Sequence, residues 1–231
     1  MSTSPIAAMF DRISPKYDAL NHLLSLNIDK VWRRKTAKAV AKSQPKTILD
    51  LATGTADLAI AVAKRNPQAH IIGMDISEKM LDIGREKVKQ RKLANQIELC
   101  LGDAASLPFD DDSFDAVTVA FGVRNFEDLG KGLEEISRVL KSGGQAVILE
   151  FSMPERFPVK QLYHFYFKRI LPKIGQSISK DSSAYTYLPQ SVERFPKPET
   201  FLQLLASKGL HYGTKRRLSF GISTLYQAEK R

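Results

Sequence analysis

A single cysteine, Cys100, occurs in 231 residues, so no internal disulfide can form and a reducing compartment is expected. It sits in the apolar run Ile97-Glu98-Leu99-Cys100-Leu101 and reads as a core residue. No stretch approaches the ~20 apolar residues of a membrane-spanning helix. The start, MSTSPIAAMFDR, has neither a secretory apolar core nor the long Arg/Ser-rich face of a transit peptide. A soluble, cytoplasmic protein is therefore expected. Histidine is sparse too: His22, His70, His164 and His211 fall in no triad or metal-ligand spacing, and no metal is expected. No internal repeat or low-complexity segment is present.

What is there suits one domain with additions. With 43% apolar residues the sequence has enough to bury a full-sized core, and two equal domains are not expected. The formal charge of +10 is uneven, +1 through Glu150 and +9 from Phe151 onward. A basic C-terminal third suits nucleic acid, an anionic membrane surface or a merely solvated face. Residues 1–45 form a helical preface, helical from Pro5 to Ser43, with apolar faces at Phe10/Ile13 and Tyr17/Leu20/Leu24. In residues 46–152 strands and helices alternate. Strands are expected at Thr47–Ala52, His70–Asp75, Ile97–Leu101, Phe114–Ala120 and Gln145–Phe151, and helices at Asp57–Lys64, Glu78–Lys92 and Gly130–Leu140. Near-continuous apolar strands between helices indicate a parallel sheet covered on both faces. Residues 153–196, rich in aromatic and basic side chains at first, read as an insertion over the binding edge of the sheet. Residues 197–231 supply a last helix, Lys197–Lys208, and strands Tyr212–Leu218 and Thr224–Glu229.

Ligands of such sheets bind at the carboxyl ends of the strands, near the switch in strand order. The first strand end reads LDLATGTAD, Leu49–Asp57, with Gly54 as its one glycine, two threonines, two aspartates and no lysine. Asp75 ends the second strand 21 positions after Gly54, the spacing at which a carboxylate reaches a ribose diol. A pyrophosphate wants glycine-backed amides without neighbouring carboxylates, and Asp50 and Asp57 would repel it. S-adenosylmethionine has no phosphate and carries an ammonium and a sulfonium, which an acidic turn attracts while backbone amides meet its carboxylate. The turn therefore favours S-adenosylmethionine over NAD. After the third strand, Asp103 offers an acceptor for an adenine amino group and Ala104 leaves room beside the ring. Each aspartate also has a plainer reading: a helix cap for Asp57, loop hydrogen bonds for Asp50, a turn for Asp103.

The stretches FDRISPKYDALNHLLSLNIDKVWR, ILDLATGTADLA, MDISEKMLDIGREK, GDAASLPFDDDSFD, AFGVRNFED, EISRVLKSGG, LEFSMP and SAYTYLPQSVERFP span nearly the whole sequence. On them the sequence resembles class I S-adenosylmethionine-dependent methyltransferases, and within these the ubiquinone/menaquinone biosynthesis C-methyltransferase family. The resemblance implies an α/β, Rossmann-like fold: a mostly parallel seven-stranded sheet with helices on both faces, plus N-terminal helices and a helical insertion. It implies methyl transfer to a ring carbon of a polyprenylated quinol, demethylmenaquinol first, with a 2-polyprenyl-6-methoxybenzoquinol as the alternative. Thr55, Asp75, Asp103 and Ala104 are the implied cofactor contacts, with Gly54 beside them. The sequence departs from the family's Gly-Thr-Gly-Asp at Ala56, where a positive φ would strain an alanine, and from its common Asn-Ala at Asp103.

A quinol carbon becomes nucleophilic once an adjacent hydroxyl is ionised or hydrogen-bonded, so a side chain must stabilise a phenolate or take its proton. Arg124, in Phe121-Gly122-Val123-Arg124-Asn125 after the fourth strand, is one catalytic candidate; an ion pair with Glu127 or Asp128 is its plainer role. Tyr17, the other, could close the site as a phenolic partner or simply pack. The run Leu162–Leu171 suits a core helix or an entrance for an isoprenoid tail, with Lys160, Lys168, Arg169 and Lys173 meeting lipid phosphates. Expected partners are thus the polyprenylated quinol and, transiently, an anionic membrane surface at the inner face of the cell membrane; a homo-oligomer stays open. The basic charge invites a nucleic-acid methyltransferase as rival, yet FGVRN stands where base-amine methylases carry a Pro-Pro-aromatic tetrapeptide, and no nucleic-acid partner is expected. A dinucleotide dehydrogenase is opposed by the acidic turn, and a non-catalytic adenosyl-ligand module stays open.

Overall fold

The structure, a computed structural model, describes residues 4–25, 27–166, 169 and 183–231. Strands that are apolar on both sides take the centre of the sheet. β1 (Thr47–Leu51) and β4 (Phe114–Ala120) pair in parallel, and Ile48, Leu49, Val117 and Val119 are wholly removed from solvent. Each such side chain stabilises the fold by roughly 1.5–3 kcal/mol. β2 (His70–Asp75) and β3 (Ile97–Leu101) extend the sheet on one side; β5 (Leu140–Phe151), β6 (Leu210–Leu218) and β7 (Ser223–Lys230) extend it on the other. The order is β3-β2-β1-β4-β5-β7-β6, parallel as far as β5, with β7 antiparallel to both β5 and β6. Strand order switches direction between β1 and β4, which opens a crevice over their carboxyl ends.

Alternation along β1 sends Ile48 to one face and Leu49 and Leu51 to the other. Ile48 joins a core with α2 (Ile28–Val40), α3 (Asp57–Ala63) and α4 (Glu78–Gln90) through residues such as Val40, Ile60 and Val88. Leu49 and Leu51 join one with α5 (Leu129–Val139) and the helix Pro198–Ser207 through Leu133, Ile136, Phe201 and Leu205. Ser77 caps α4 by accepting the Met80 N–H, as its position before the helix suggests, and Asp128 caps α5 at Lys131. α1 (Pro5–Leu24) precedes the sheet; α6 (Val159–Phe165), α7 (Ser183–Arg194) and α8 (Pro198–Ser207) follow β5. No helix among the described residues is long and apolar enough to cross a membrane.

Two expectations need correction. The helical preface is broken between α1 and α2, where Asn27 takes a left-handed φ of 60°. β5 begins at Leu140, absorbing a helix end and the Ser142-Gly143-Gly144 loop; Gly143, at φ 77°, accommodates a register shift against β4. In the insertion, SAYTYLPQSVER forms α7, with Pro189 inside the helix. The expectations for Phe167, Lys168 and Lys173 lie outside the described residues.

Candidate active site

From Leu51 the backbone coils into α3 through left-handed residues Ala52, Gly54 and Ala56, at φ 49°, 55° and 64°. The positive φ at Ala56 carries a strain of about 1–2 kcal/mol. The turn is held from the neighbouring strand: Thr53 N–H donates to the Met74 carbonyl (3.1 Å), and Gly54 N–H donates to Asp75 Oδ2 (2.8 Å). Ser77 N–H donates to Asp75 Oδ1 (3.0 Å), so Asp75 stitches the first two strand ends together. Burial pushes the Asp75 carboxyl up, and these amide bonds work against that shift. Among the described residues, nothing lies within 4 Å of where a Gly54 Cβ would stand, so the open face of this turn is available to a ligand.

The turn has a second side, which takes Thr55, one of the implied contacts, and Asp57, while Asp50 faces the core. Asp50 is buried beneath the sheet end, accepting from Thr118 Oγ1 (2.5 Å) and Thr53 Oγ1 (2.6 Å), and burial pushes its carboxyl up to about 6. Asp57 pairs with Lys87, and against the raising effect of burial the Arg33 and Lys87 charges hold its carboxyl below the ordinary value. The Thr55 hydroxyl donates to Asp18 (2.6 Å) and accepts from Lys87 (3.0 Å). None of the three lines the cleft over the strand ends, because α3 starts there and directs alternate turn residues to opposite sides.

That cleft lies over the ends of β1 to β4, and Gly54, Asp75, Asp103 and Ala104 line it together. Asp103 is exposed; its Oδ1 accepts the Ala105 N–H (2.9 Å), so the turn role foreseen for it is present and Oδ2 remains. Ile6, Phe10 and Tyr17 of α1 form the opposite wall. α1 is fastened by Asp11, which accepts from Ser77 Oγ (2.6 Å), and by Asp18, which pairs with Lys87 (2.9 Å). Pro15 has no N–H to give the Asp11 carbonyl, and Ser14 Oγ donates there instead (3.1 Å). Tyr17 packs edge-on against Phe10, and burial raises its phenol pKa.

At the β4 end, Arg124 does pair with a carboxylate, but with Glu150 (2.7 Å) rather than Glu127 or Asp128. Glu150, next to last in β5, is fully buried; it also accepts the Phe151 N–H and the Arg124 N–H. Arg124 further donates to the Phe121 carbonyl and to Ser191 Oγ of α7 (3.2 Å) and covers the Phe151 ring. Tyr187 of α7 donates to Asn125 Oδ1 (3.0 Å), and Asn125 lines the cleft. The positive charge of Arg124 acts on the phenols of Tyr17, Tyr163 and Tyr187 against the raising effect of burial. Sequence reasoning missed Glu150, Asp11 and Tyr187. A lone carboxylate closing a run of apolar strand residues was the available signal for Glu150.

The sheet order, the acidic strand ends and the glycine-faced turn define a Rossmann-like, S-adenosylmethionine-dependent methyltransferase. A solved S-adenosylmethionine-dependent methyltransferase from Thermotoga maritima shares the fold, with TM-score 0.66 at 16% identity over 98% of this chain and 100% of its own. The chain belongs to the ubiE/COQ5 methyltransferase family, whose model matches residues 1–230. It is 50% identical to a demethylmenaquinone methyltransferase of Bacteroides fragilis, over 97% of this chain and 92% of the relative. It is 46% identical to a ubiquinone/menaquinone biosynthesis C-methyltransferase of Geobacter sulfurreducens, over 97% and 88%.

Proposed function

We propose that this protein methylates a ring carbon of a polyprenylated quinol, demethylmenaquinol before a methoxybenzoquinol, with S-adenosylmethionine as donor. The observation that carries the reading is the meeting of FGVRN and YTYLPQS at one edge of the cleft, through Tyr187–Asn125 and Ser191–Arg124. That juncture borders the cleft at Asn125, and across it Tyr17 of α1 presents a phenol within the influence of the Arg124 guanidinium. The Bacteroides fragilis relative, more similar than the Geobacter sulfurreducens one, supports the demethylmenaquinol preference.

Asp75 suits a ribose diol, Asp103 an adenine amino group, and the bare face of Gly54 and small Ala104 leave space for the rest of the donor. When bound, S-adenosylmethionine supplies an electrophilic methyl group. The side chains must then hold the acceptor carbon in line and favour its ionised form. Burial keeps the Tyr17 phenol protonated at neutral pH, so it donates a hydrogen bond to a quinolate oxygen. Arg124 does not line the cleft and acts through position, holding α7 against Asn125's turn while its own charge is paired with Glu150. Ile6 and Phe10 exclude water.

A lipid-soluble acceptor has to come from a membrane. Phe157, Leu162 and Phe165 expose 81%, 64% and 60% of their surface around the basic Lys160, which supports transient contact with an anionic bilayer there. The deciding experiment is turnover of labelled S-adenosylmethionine with reduced demethylmenaquinol, reduced methoxybenzoquinol and bulk RNA. Label entering RNA and neither quinol would overturn the proposal; label in the benzoquinol alone would reverse the preference.

A further inference from the structure

A second concavity opens where α1, α2, α3 and α4 converge, onto Asp57 rather than Gly54. Each of its three acids already has a partner, with two full cations and His22 set against them. Asp57 and Asp18 share Lys87, while Asp29 behind them holds Arg33 and His22 Nδ1 (2.8 Å). Around the rim stand Lys30, Arg34, Lys64, Arg65 and Arg91, all exposed and without a carboxylate partner among the described residues. The floor between them includes Ile60 and Ala61. Residues through Glu150 carry a net charge of only +1, yet these uncompensated cations of that portion gather at one depression. A merely solvated face disperses like charges, whereas cations converging on a concave wall focus their potential into it.

The geometry points to a binding site for a compact phosphate-bearing polyanion in this cleft, separate from the methyl-transfer site. Lys30 and Arg34 of α2, Lys64 and Arg65 just after α3, and Arg91 just after α4 bring both arginine forks and lysine point charges to one depression, which suits an anion offering several oxygens. The cations surround a depression instead of following a line, so a short di- or polyphosphate group fits better than the track of an extended nucleic acid. The group can belong to a free phosphate compound or to a lipid headgroup. Inorganic pyrophosphate is the probe, titrated calorimetrically at ionic strength matched with KCl. Alongside it, co-sedimentation with phosphatidylglycerol vesicles is measured with and without pyrophosphate.

Saturable binding of pyrophosphate is expected, weakened ~10-fold or more in Arg34→Glu/Lys64→Glu/Arg91→Glu. Methyl transfer and circular dichroism should be unchanged, since these side chains are exposed and outside the active cleft. If that variant does not fold, Arg34→Gln/Arg91→Gln gives the same reading at smaller amplitude. Vesicle binding that pyrophosphate displaces would name the headgroup as the source, and pyrophosphate binding without vesicle binding a free phosphate. Absence of saturable binding, equal affinity in the folded variants, or duplex DNA binding that pyrophosphate leaves intact would each overturn the site. None of these outcomes bears on the methyl acceptor, which is tested by turnover.

Discussion

An alanine held at φ 64° with no exposed surface sets two effects against each other at Ala56. Glycine there would relieve about 1–2 kcal/mol of left-handed strain. It would also forfeit about 0.8 kcal/mol for a buried methyl and a further ~0.4–1 kcal/mol in the entropy of the unfolded state. The effects nearly cancel, so Ala56→Gly should shift stability by less than about 1 kcal/mol in urea melts. Ala56→Val, with a branched side chain in the same conformation and no room, should cost more than ~2 kcal/mol. Asp50 offers a pH test. Its carboxyl titrates at about 6 in the folded protein against an ordinary 3.8. The folded state therefore binds more protons between those values, and the group's stabilising contribution, complete below pH 3.8, is lost as pH rises through 6. Asp50→Asn should gain on the parent protein by up to about 3 kcal/mol between pH 4 and pH 7, measured by denaturant titration; an unchanged difference would contradict the assignment. Glu150→Gln strands Arg124 as a buried charge and should cost roughly 3 kcal/mol in the same assay. That Asp75 and Gly54 meet at one edge of the cleft was legible from their spacing. The roles of Asp57 and Thr55 were not, since a linear string does not tell which side of a coiled turn each residue faces.

At the scale of elements, α7 is joined to the sheet edge by bonds from two of its turns, Tyr187 to Asn125 and Ser191 to Arg124. Tyr187→Phe removes one hydrogen bond, worth about 1 kcal/mol, or roughly five-fold in an equilibrium. We expect the quinol KM to rise by about that factor while S-adenosylmethionine affinity stays level; a parallel loss of cofactor affinity would place α7 over the other half of the cleft. Most strands and helices were readable because apolar periodicity and caps agree, as at Ser77 before α4. The start of β5 was hidden by Ser142-Gly143-Gly144, which as a string signals a turn and in the sheet is absorbed in a bulged strand. α7 was obscured by Pro189, a residue that ordinarily speaks against a helix interior.

For the molecule as a whole, a ligand that binds only the folded state adds stability by mass action. At one hundred times its Kd, S-adenosylmethionine should add about 2.7 kcal/mol. For a protein of this size that raises the melting temperature by roughly 5–10 °C, while NAD at equal concentration should add nothing. The parallel, two-faced character of the sheet followed from the alternation of strands and helices, whereas its seven-stranded Rossmann-like form came with the family resemblance and its strand order only with the structure. The basic cleft did not follow from the sequence, because its cations come from α2, from the residues after α3 and from the residue after α4, far apart in sequence. α1 lies across the crevice with Ile6, Phe10 and Tyr17 inward, and Asp11 and Asp18 fasten it to α4. α1 thus stands as a roof on the donor's side of the crevice, and we expect the exchange of donor for spent donor to depend on those two fastenings. Weakening them with Asp11→Asn should quicken product escape while loosening the grip on the donor, a trade visible as kcat and KM rising together.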